Sequence, residues 1–197
     1  TRFGLRSGVV AGAAAMDPIR KITREAYAIE ATTARTWLES ARLMRIGPAA
    51  IAANPDGISL NGPMVRALHT LGLFDPMEVP ARGSKALERV MERWEPFETA
   101  SGFLWLASPK NDRPTQVVAG RVYVRAHLLA TAEGVDMHPL SQALQEFAEM
   151  RELREAIHKT LGLTNSGATL QMLSRVGFAT KSRGPSPRHS LESLLRT

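Results

Sequence analysis

The chain has 197 residues, 44% of them hydrophobic, and its 25 Lys and Arg residues against 19 Asp and Glu residues give a formal net charge of +6. This length allows one domain, or one domain with a helical appendage, to bury a sizeable core. The lack of cysteine excludes disulfides, zinc–thiolate sites and thiol nucleophiles, and it fits a reducing compartment such as the cytoplasm.

The positive charge permits nucleic acid, anionic lipid or a phosphorylated ligand as partner. The basic residues, however, are interleaved with glutamates at 86–95 and 149–159, a pattern typical of a solvated helix face. The hydrophobic run at 8–16 is too short to span a bilayer and too weakly apolar for a signal peptide. We therefore expect a soluble cytoplasmic protein with no membrane partner. Because the chain begins at Thr1 without an initiator methionine, a processed form or a fragment of a longer protein is also expected.

The N-terminal half is predicted to be helical. A helix starts at Asp17 and Pro18, and residues 19–45 contain no Gly or Pro and carry apolar residues at steps of three and four, which predicts one long amphipathic helix or two joined helices. A turn follows at 54–57. Shorter helices are predicted at 63–71 and 85–94, the second capped by Ser84.

The second half predicts a small sheet with helices around it. The apolar runs and turn residues predict strands at 103–107, 135–138 and 169–178 and a charged helix from Ser141 to 162. A central helix is predicted at 116–133, buried on almost every side, with its start marked by Asp112 and Pro114. The fold class is therefore α+β, with a small mixed sheet flanked by helices. Three strands are few for an independent sheet, so we expect a partner to complete it.

Several kinds of chemistry have little support in the sequence. The five histidines are scattered without a second ligand at metal spacing, so no metal site is predicted. No G-x-S-x-G, G-x-G-x-x-G or P-loop motif occurs, which disfavours a serine hydrolase, a dinucleotide-binding Rossmann site and a P-loop site. Ser141, at a predicted helix start, is better interpreted as an N-cap than as a nucleophile.

Two polar features remain. In the 138–142 turn, a strand passes through Pro139 into a helix whose first amides, on Leu140, Ser141 and Gln142, are expected to be unpaired and could bind an anion or a polar ring edge. In the basic tail at 181–188, prolines could hold Arg188 in place for a phosphate. Each feature is also compatible with a purely structural role, as a helix cap and as a solvated tail.

The order of these segments resembles a known family. HPLSQALQEF (138–147), LQMLSRVGF (170–178) and GPSPRHSLESLL (184–195) are similar to the C-terminal region of the nitroreductase superfamily, in its Acg-like branch. The similarity continues back through FLWLASPKNDRPTQVVAGRVYVRAHLLATAEGV (103–135) and, more loosely, to residues 37–47 and 54–76. It is densest from 97 to 195.

This resemblance implies a two-fold dimer with FMN at its interface. By position, Pro139, Leu140, Ser141 and Gln142 match the loop whose backbone amides face the flavin N5 and O4 edge, and Arg188 matches the residue that binds the FMN phosphate. It implies hydride transfer from NAD(P)H through flavin N5 to a nitro- or quinone-type acceptor, with no catalytic side chain because the flavin carries the chemistry.

The sequence departs from the family at its beginning. No Arg-x-Ser-x-Arg pattern opens the chain, so it is expected either to be the C-terminal half of a longer two-half protein or to pair as a homodimer. We expect a helical region at 1–96, with a lid at 28–61, and a nitroreductase-like core at 97–197. The alternatives are an occluded protein that stores flavin without turnover and, from charge alone, a nucleic-acid-binding module.

Overall fold

The computed structural model describes residues 4–92, 99–179 and 186–195. The first half contains β1 (Arg6–Ala11), α1 (Ala13–Thr32), α2 (Ala34–Arg42), β2 (Met44–Ile46), α3 (Gly47–Ala53), β3 (Ile58–Leu60), α4 (Pro63–Thr70) and α5 (Lys85–Glu92). The second half contains β4 (Gly102–Ser108), α6 (Arg113–Ala132), β5 (Asp136–Pro139), α7 (Arg151–Thr160), β6 (Thr169–Gly177) and α8 (Leu191–Leu194), with 3₁₀ turns at Gln142–Leu144, Ala148–Met150 and Thr164–Ser166.

The chain divides into two compact units. The first is made of Thr1–Ile29 and Glu88–Lys181, and the second of Glu30–Leu87 and Ser182–Thr197. The first unit holds the larger sheet with the hydrophobic core, and the second holds a two-stranded sheet among short helices.

The larger sheet has the strand order β1-β4-β6-β5, and each neighbouring pair is antiparallel. The three strands predicted from apolar runs correspond to β4, β5 and β6, which confirms the α+β class. The sequence did not predict β1, whose Gly and Ala residues are weak strand formers. Part of the sheet that was expected to come from a partner is therefore supplied by the chain's own N-terminus.

Close packing explains the small residue at the centre of β1. Gly8 lies opposite Trp105 of β4, and a Cβ at Gly8 would lie 2.7 Å from the indole ring. The ring thus fills the space that a side chain would need, and glycine is the residue that permits the approach.

The core of the first unit lies between the sheet and the helices α1 and α7. Along α1, Met16, Ile19, Thr23 and Ala26 are all at most 2% exposed, and their spacing of three and four places them on one face. The hydroxyl of Thr23 donates to the carbonyl of Ile19 at 2.9 Å, so this buried polar group is satisfied. The strands contribute buried apolar side chains to the same core from one face of the sheet, namely Phe103, Ala107 and Leu173.

The long helix predicted for 19–45 is two helices. α1 begins earlier than predicted, at Ala13, because the alanines before Asp17 favour helix and the amide of Met16 already bonds to Gly12 at 3.0 Å. The chain breaks at Thr33, which is extended, and α2 follows.

The prediction that α6 is buried on almost every side is wrong. Among its described residues only Ala119 is buried. Its large apolar side chains lie around the helix rather than on one stripe, so packing on one side leaves others in contact with solvent. Four of them are more than half exposed: Val117, Val124, Leu128 and Leu129. The predicted start is confirmed, because Asp112 caps the helix by accepting from the amide of Thr115 at 3.0 Å.

In the second unit, β2 and β3 pair in parallel and α3 connects them. The predicted helices at 63–71 and 85–94 correspond to α4 and α5, and residues 93 and 94 of the second prediction lie outside the described residues. The predicted cap of α5 is confirmed, since the Ser84 hydroxyl accepts from the amide of Leu87 at 3.1 Å.

Candidate functional site

The 138–142 turn, defined as His138 to Gln142, starts at the edge of the sheet. His138 and Pro139 end β5, where they pair with Arg175 and Ser174 of β6. Since β5 is an edge strand, the missing N–H of Pro139 costs little there. The turn therefore leaves the sheet at a fixed point.

The amide of Leu140 is paired, contrary to the sequence prediction. It donates to the carbonyl of Leu173 at 2.8 Å, which extends the β5–β6 ladder by one bond, and its side chain is only 1% exposed in the core. Leu140 thus anchors the turn, and its amide is not available to a ligand.

Ser141 does not cap a helix, and the predicted charged helix from Ser141 to 162 is not continuous. Ser141 has φ −92° and ψ −9° and makes no side-chain cap bond, because an N-cap needs an extended backbone. A 3₁₀ turn of three residues follows and ends at Gln145, which is extended. The α-helical part begins only at Arg151.

Two amides of the turn remain without an internal partner. Within the described ranges, no hydrogen bond involves the amides of Ser141 or Gln142, and Ser141 is exposed. The side-chain oxygen Oε1 of Gln142 is buried and also has no hydrogen-bond partner there. The sequence had indicated only the backbone of Gln142. Two donors and one acceptor in adjacent residues suit a ligand edge that carries both carbonyl and N–H groups.

Arg188 lies in the second unit, whereas the 138–142 turn lies in the first. The guanidinium of Arg188 is exposed and donates from Nη1 to the Ser186 hydroxyl at 3.3 Å. Of the basic tail predicted at 181–188, residues 181–185 lie outside the described residues. Arg188 therefore keeps most of its five N–H donors for another group.

The residue after Arg188 is held by a carboxylate. His189 Nε2 lies 3.6 Å from Asp56 Oδ2, and Arg45 Nη2 donates to Asp56 Oδ1 at 3.0 Å. Desolvation opposes ionisation of Asp56, but the hydrogen bonds from Arg45 and His189 outweigh it and lower the pKa of this carboxyl below its ordinary value. The start of the C-terminal segment is thus attached to the loop before β3.

The described residues contain neither a metal-binding cluster nor a membrane-spanning helix. No group of three His, Asp or Glu residues lies close enough together to hold a metal ion. No helix in the described ranges combines the length and apolar character needed to cross a membrane.

Comparison with known proteins shows the fold. The chain is similar to the FMN-dependent nitroreductase NfnB from Mycobacterium smegmatis, solved in complex with NADPH, with a TM-score of 0.52 and 20% identity over 98% of this chain and 78% of that one. It is also similar to the FMN- and NADPH-dependent nitroreductase NfnB from Sphigopyxis sp. strain HMH, with a TM-score of 0.51 and 16% identity over 98% of this chain and 79% of that one. No family model matches the sequence, and no curated protein matches it. The chain has the nitroreductase fold.

Proposed function

We propose that this protein is an FMN-dependent oxidoreductase of nitroreductase type that uses NAD(P)H. The observation that carries the proposal is the fold likeness over 98% of the chain to nitroreductases described as FMN- and NADPH-dependent. The sequence supports the same proposal, because its C-terminal segments resemble that superfamily in their order. A nitro- or quinone-type compound would be the acceptor.

The residues of the 138–142 turn fit a flavin edge. Bound FMN would supply hydride transfer at its N5 position. The amides of Ser141 and Gln142, which have no partner among the described residues, can donate to flavin carbonyl and ring-nitrogen acceptors and so stabilise negative charge on the ring. The unpartnered oxygen of Gln142 suits a ring N–H. Leu140 and Pro139 contribute by fixing the turn to the sheet.

Arg188 is the proposed phosphate ligand. A guanidinium presents a planar set of donors that matches phosphate oxygens, and this side chain is exposed with one hydrogen bond to Ser186. The contact of the neighbouring His189 with Asp56 supports the role because it restricts the segment that carries the guanidinium.

A dimer is part of the proposal. α6 exposes Val117, Val124, Leu128 and Leu129, each at 55% or more, and these side chains lie on a helix of 20 residues. An exposed apolar area on a long helix is typical of a protein–protein interface. A homodimer, or pairing with a missing N-terminal half, would cover it.

The finer assignments rest on the resemblance alone. We propose membership of the Acg-like branch as a C-terminal half, with a helical region at 1–96 that includes a lid at 28–61, and a core at 97–197 to which β1 adds a strand. The cysteine-free composition favours a cytoplasmic location.

Purification under native conditions tests the proposed function. We expect a yellow protein with a flavin absorbance band, or a colourless protein that takes up added FMN, and oxidation of NAD(P)H when a nitroaromatic or quinone acceptor is added. Protein that neither contains nor binds FMN would contradict the proposal. FMN binding without NAD(P)H oxidation by any acceptor would instead favour flavin storage.

Replacement of Arg188 tests the phosphate site. We expect Arg188→Ala to weaken FMN binding by about 1.5–3 kcal/mol, the usual contribution of a charge-assisted hydrogen bond, and to leave riboflavin, which lacks the phosphate, nearly unaffected. Quenching of flavin fluorescence measures both affinities. Arg82→Ala, another exposed arginine of the second unit, serves as the control. Equal FMN affinity in the Arg188 variant and the wild type would show that this residue does not bind the phosphate.

A further inference from the structure

β6 has one residue more than β4 where the two strands pair. Met172 lies opposite Leu106 and Leu170 lies opposite Ala107, so Gln171 is the extra residue of a β-bulge. A bulge removes its extra residue from the regular ladder and redirects the side chain. Here it brings the carboxamide of Gln171 to the loop that follows β4.

A network of carboxamides starts at this bulge. Gln171 Nε2 donates to the hydroxyl of Ser108 at 2.9 Å and to Asn111 Oδ1 at 3.0 Å. Gln116 Nε2, in the first turn of α6, donates to the same Oδ1 at 3.1 Å. Ser108 is fully buried and donates in turn to the carbonyl of Lys110 at 2.6 Å. The N–H groups of both glutamines are thus directed at the loop.

Each of the three carboxamide groups has a second polar atom that this network does not use. Within the part of the chain that the structure describes, no hydrogen bond involves the Oε1 atoms of Gln116 and Gln171 or the Nδ2 atom of Asn111. Asn111 lies between the two glutamines, because both donate to its oxygen. The three side chains therefore offer two acceptors and one donor that the described residues do not use.

These side chains line an open cleft of about 240 Å³. The charged group in its lining is Glu146, which accepts from Arg154 at 3.0 Å, and the lining contains no Lys, Arg or His among the described residues. The described residues of the lining therefore offer no positive charge that would attract an anion.

We propose that this cleft, named here the amide cleft, binds a small neutral ligand through a carboxamide or ureide group. Such a group carries N–H donors beside a carbonyl acceptor in one plane, and carboxamide side chains pair with edges of that kind in a bidentate manner. The volume suits a single small ring rather than a drug-sized molecule. The proposal does not depend on flavin binding, because the amide cleft and the 138–142 turn are formed by different residues.

Nicotinamide and nicotinate form a matched pair of ligands for the test, because they differ only in a carboxamide against a carboxylate. Titration of the isotope-labelled, FMN-free protein is followed by the side-chain amide signals of Asn111, Gln116 and Gln171 in two-dimensional NMR. We expect saturable shifts of these signals with nicotinamide, and binding at least tenfold weaker with nicotinate. Equal binding of the two ligands, tighter binding of glucose, or shifts confined to Ser141 and Gln142 would each overturn the proposal.

Substitutions in the amide cleft test whether nicotinamide binds there. We expect Gln116→Leu, on the surface of α6, to weaken nicotinamide binding at least fivefold, and Gln171→Leu to do the same. Asn61→Ala, an exposed amide of the second unit, is the control that should bind normally. Circular dichroism checks folding. If Gln171→Leu does not fold, Gln116→Leu alone decides, and unchanged affinity in that variant contradicts the proposal.

Discussion

Gly57 occupies a position in the loop between α3 and β3 where two independent constraints require glycine. Its φ is +75°, a region that side chains rarely adopt, and a Cβ there would lie 2.3 Å from the carbonyl oxygen of Leu43. That oxygen already accepts from the amide of Ile58 at 2.9 Å. We expect Gly57→Ala to lower the free energy of unfolding by more than about 2 kcal/mol, because left-handed strain and a backbone clash add together.

Gly72→Ala is the matched control. Gly72 has φ +69°, but nothing lies within 4 Å of the position of a Cβ, so only the backbone strain applies, which costs about 1–2 kcal/mol. Urea unfolding of both variants and the wild type gives the comparison. If the two variants lose equal stability, the close approach to Leu43 does not contribute.

At the same scale, the sequence pointed to the 138–142 turn but did not predict the backbone conformation of Ser141 or the pairing of the Leu140 amide. The N-cap prediction failed because a proline followed by polar residues can precede a 3₁₀ turn as well as an α-helix. Before the 3₁₀ turn found here, Ser141 has helical φ and ψ values and not the extended values of an N-cap. The pairing of the Leu140 amide with Leu173 is a contact between residues 33 positions apart, and no local pattern encodes it. The position of the Gln171 side chain depends on the register between β4 and β6, and the sequence pattern does not predict that register.

The start of α6 is stabilised by a charged capping residue, Asp112. Asp112 accepts hydrogen bonds from the hydroxyl and the amide of Thr115. The bond from the hydroxyl has the largest effect on the pKa of the Asp112 carboxyl, and together the two bonds lower this pKa below its ordinary value despite opposing desolvation. A lowered folded-state pKa adds stability that is present above the unfolded-state pKa near 3.8 and is lost as the pH falls through the folded-state pKa.

We therefore expect Asp112→Ala to reduce the Tm at neutral pH, with a difference from the wild type that shrinks as the pH is lowered below 3.8. Thermal unfolding across this pH range measures it. Asp112→Asn should retain much of the cap at neutral pH, because an amide oxygen also accepts from the helix amides. A difference between the wild type and Asp112→Ala that is independent of pH would exclude the carboxylate as its cause.

Among the elements, those with strong local signals were predicted and those set by tertiary packing were not. β4 was recognised as an apolar run between Gly102 and Pro109, β6 as a strand that ends in glycine, and α6 by Asp112 and Pro114 at its start. β1 was missed because glycine, alanine and serine are weak strand formers, and the fit of Gly8 against Trp105 is a tertiary contact. The burial of α6 was overestimated because hydrophobic composition does not tell which side of a helix meets a core.

At the scale of the whole molecule, the sequence indicated the nitroreductase fold through an ordered set of segments, none of which is specific alone. The fold likeness at 16–20% identity agrees with that order and explains why whole-sequence comparison gave no match. The two compact units each draw on both the N-terminal and C-terminal parts of the chain. Such an arrangement depends on long-range contacts, which the sequence pattern does not specify.

The exposed apolar side chains of α6 bear on how the protein assembles. A charge introduced at the centre of an apolar interface is buried without a partner and opposes association. We expect Leu128→Glu to shift the protein from dimer to monomer, whereas Leu71→Glu should not, although Leu71 is equally exposed, at 70% against 66%. Sedimentation velocity over a range of concentrations distinguishes the two states. A wild type that is monomeric at every concentration, or a Leu128→Glu variant that remains dimeric, would show that α6 does not form the interface.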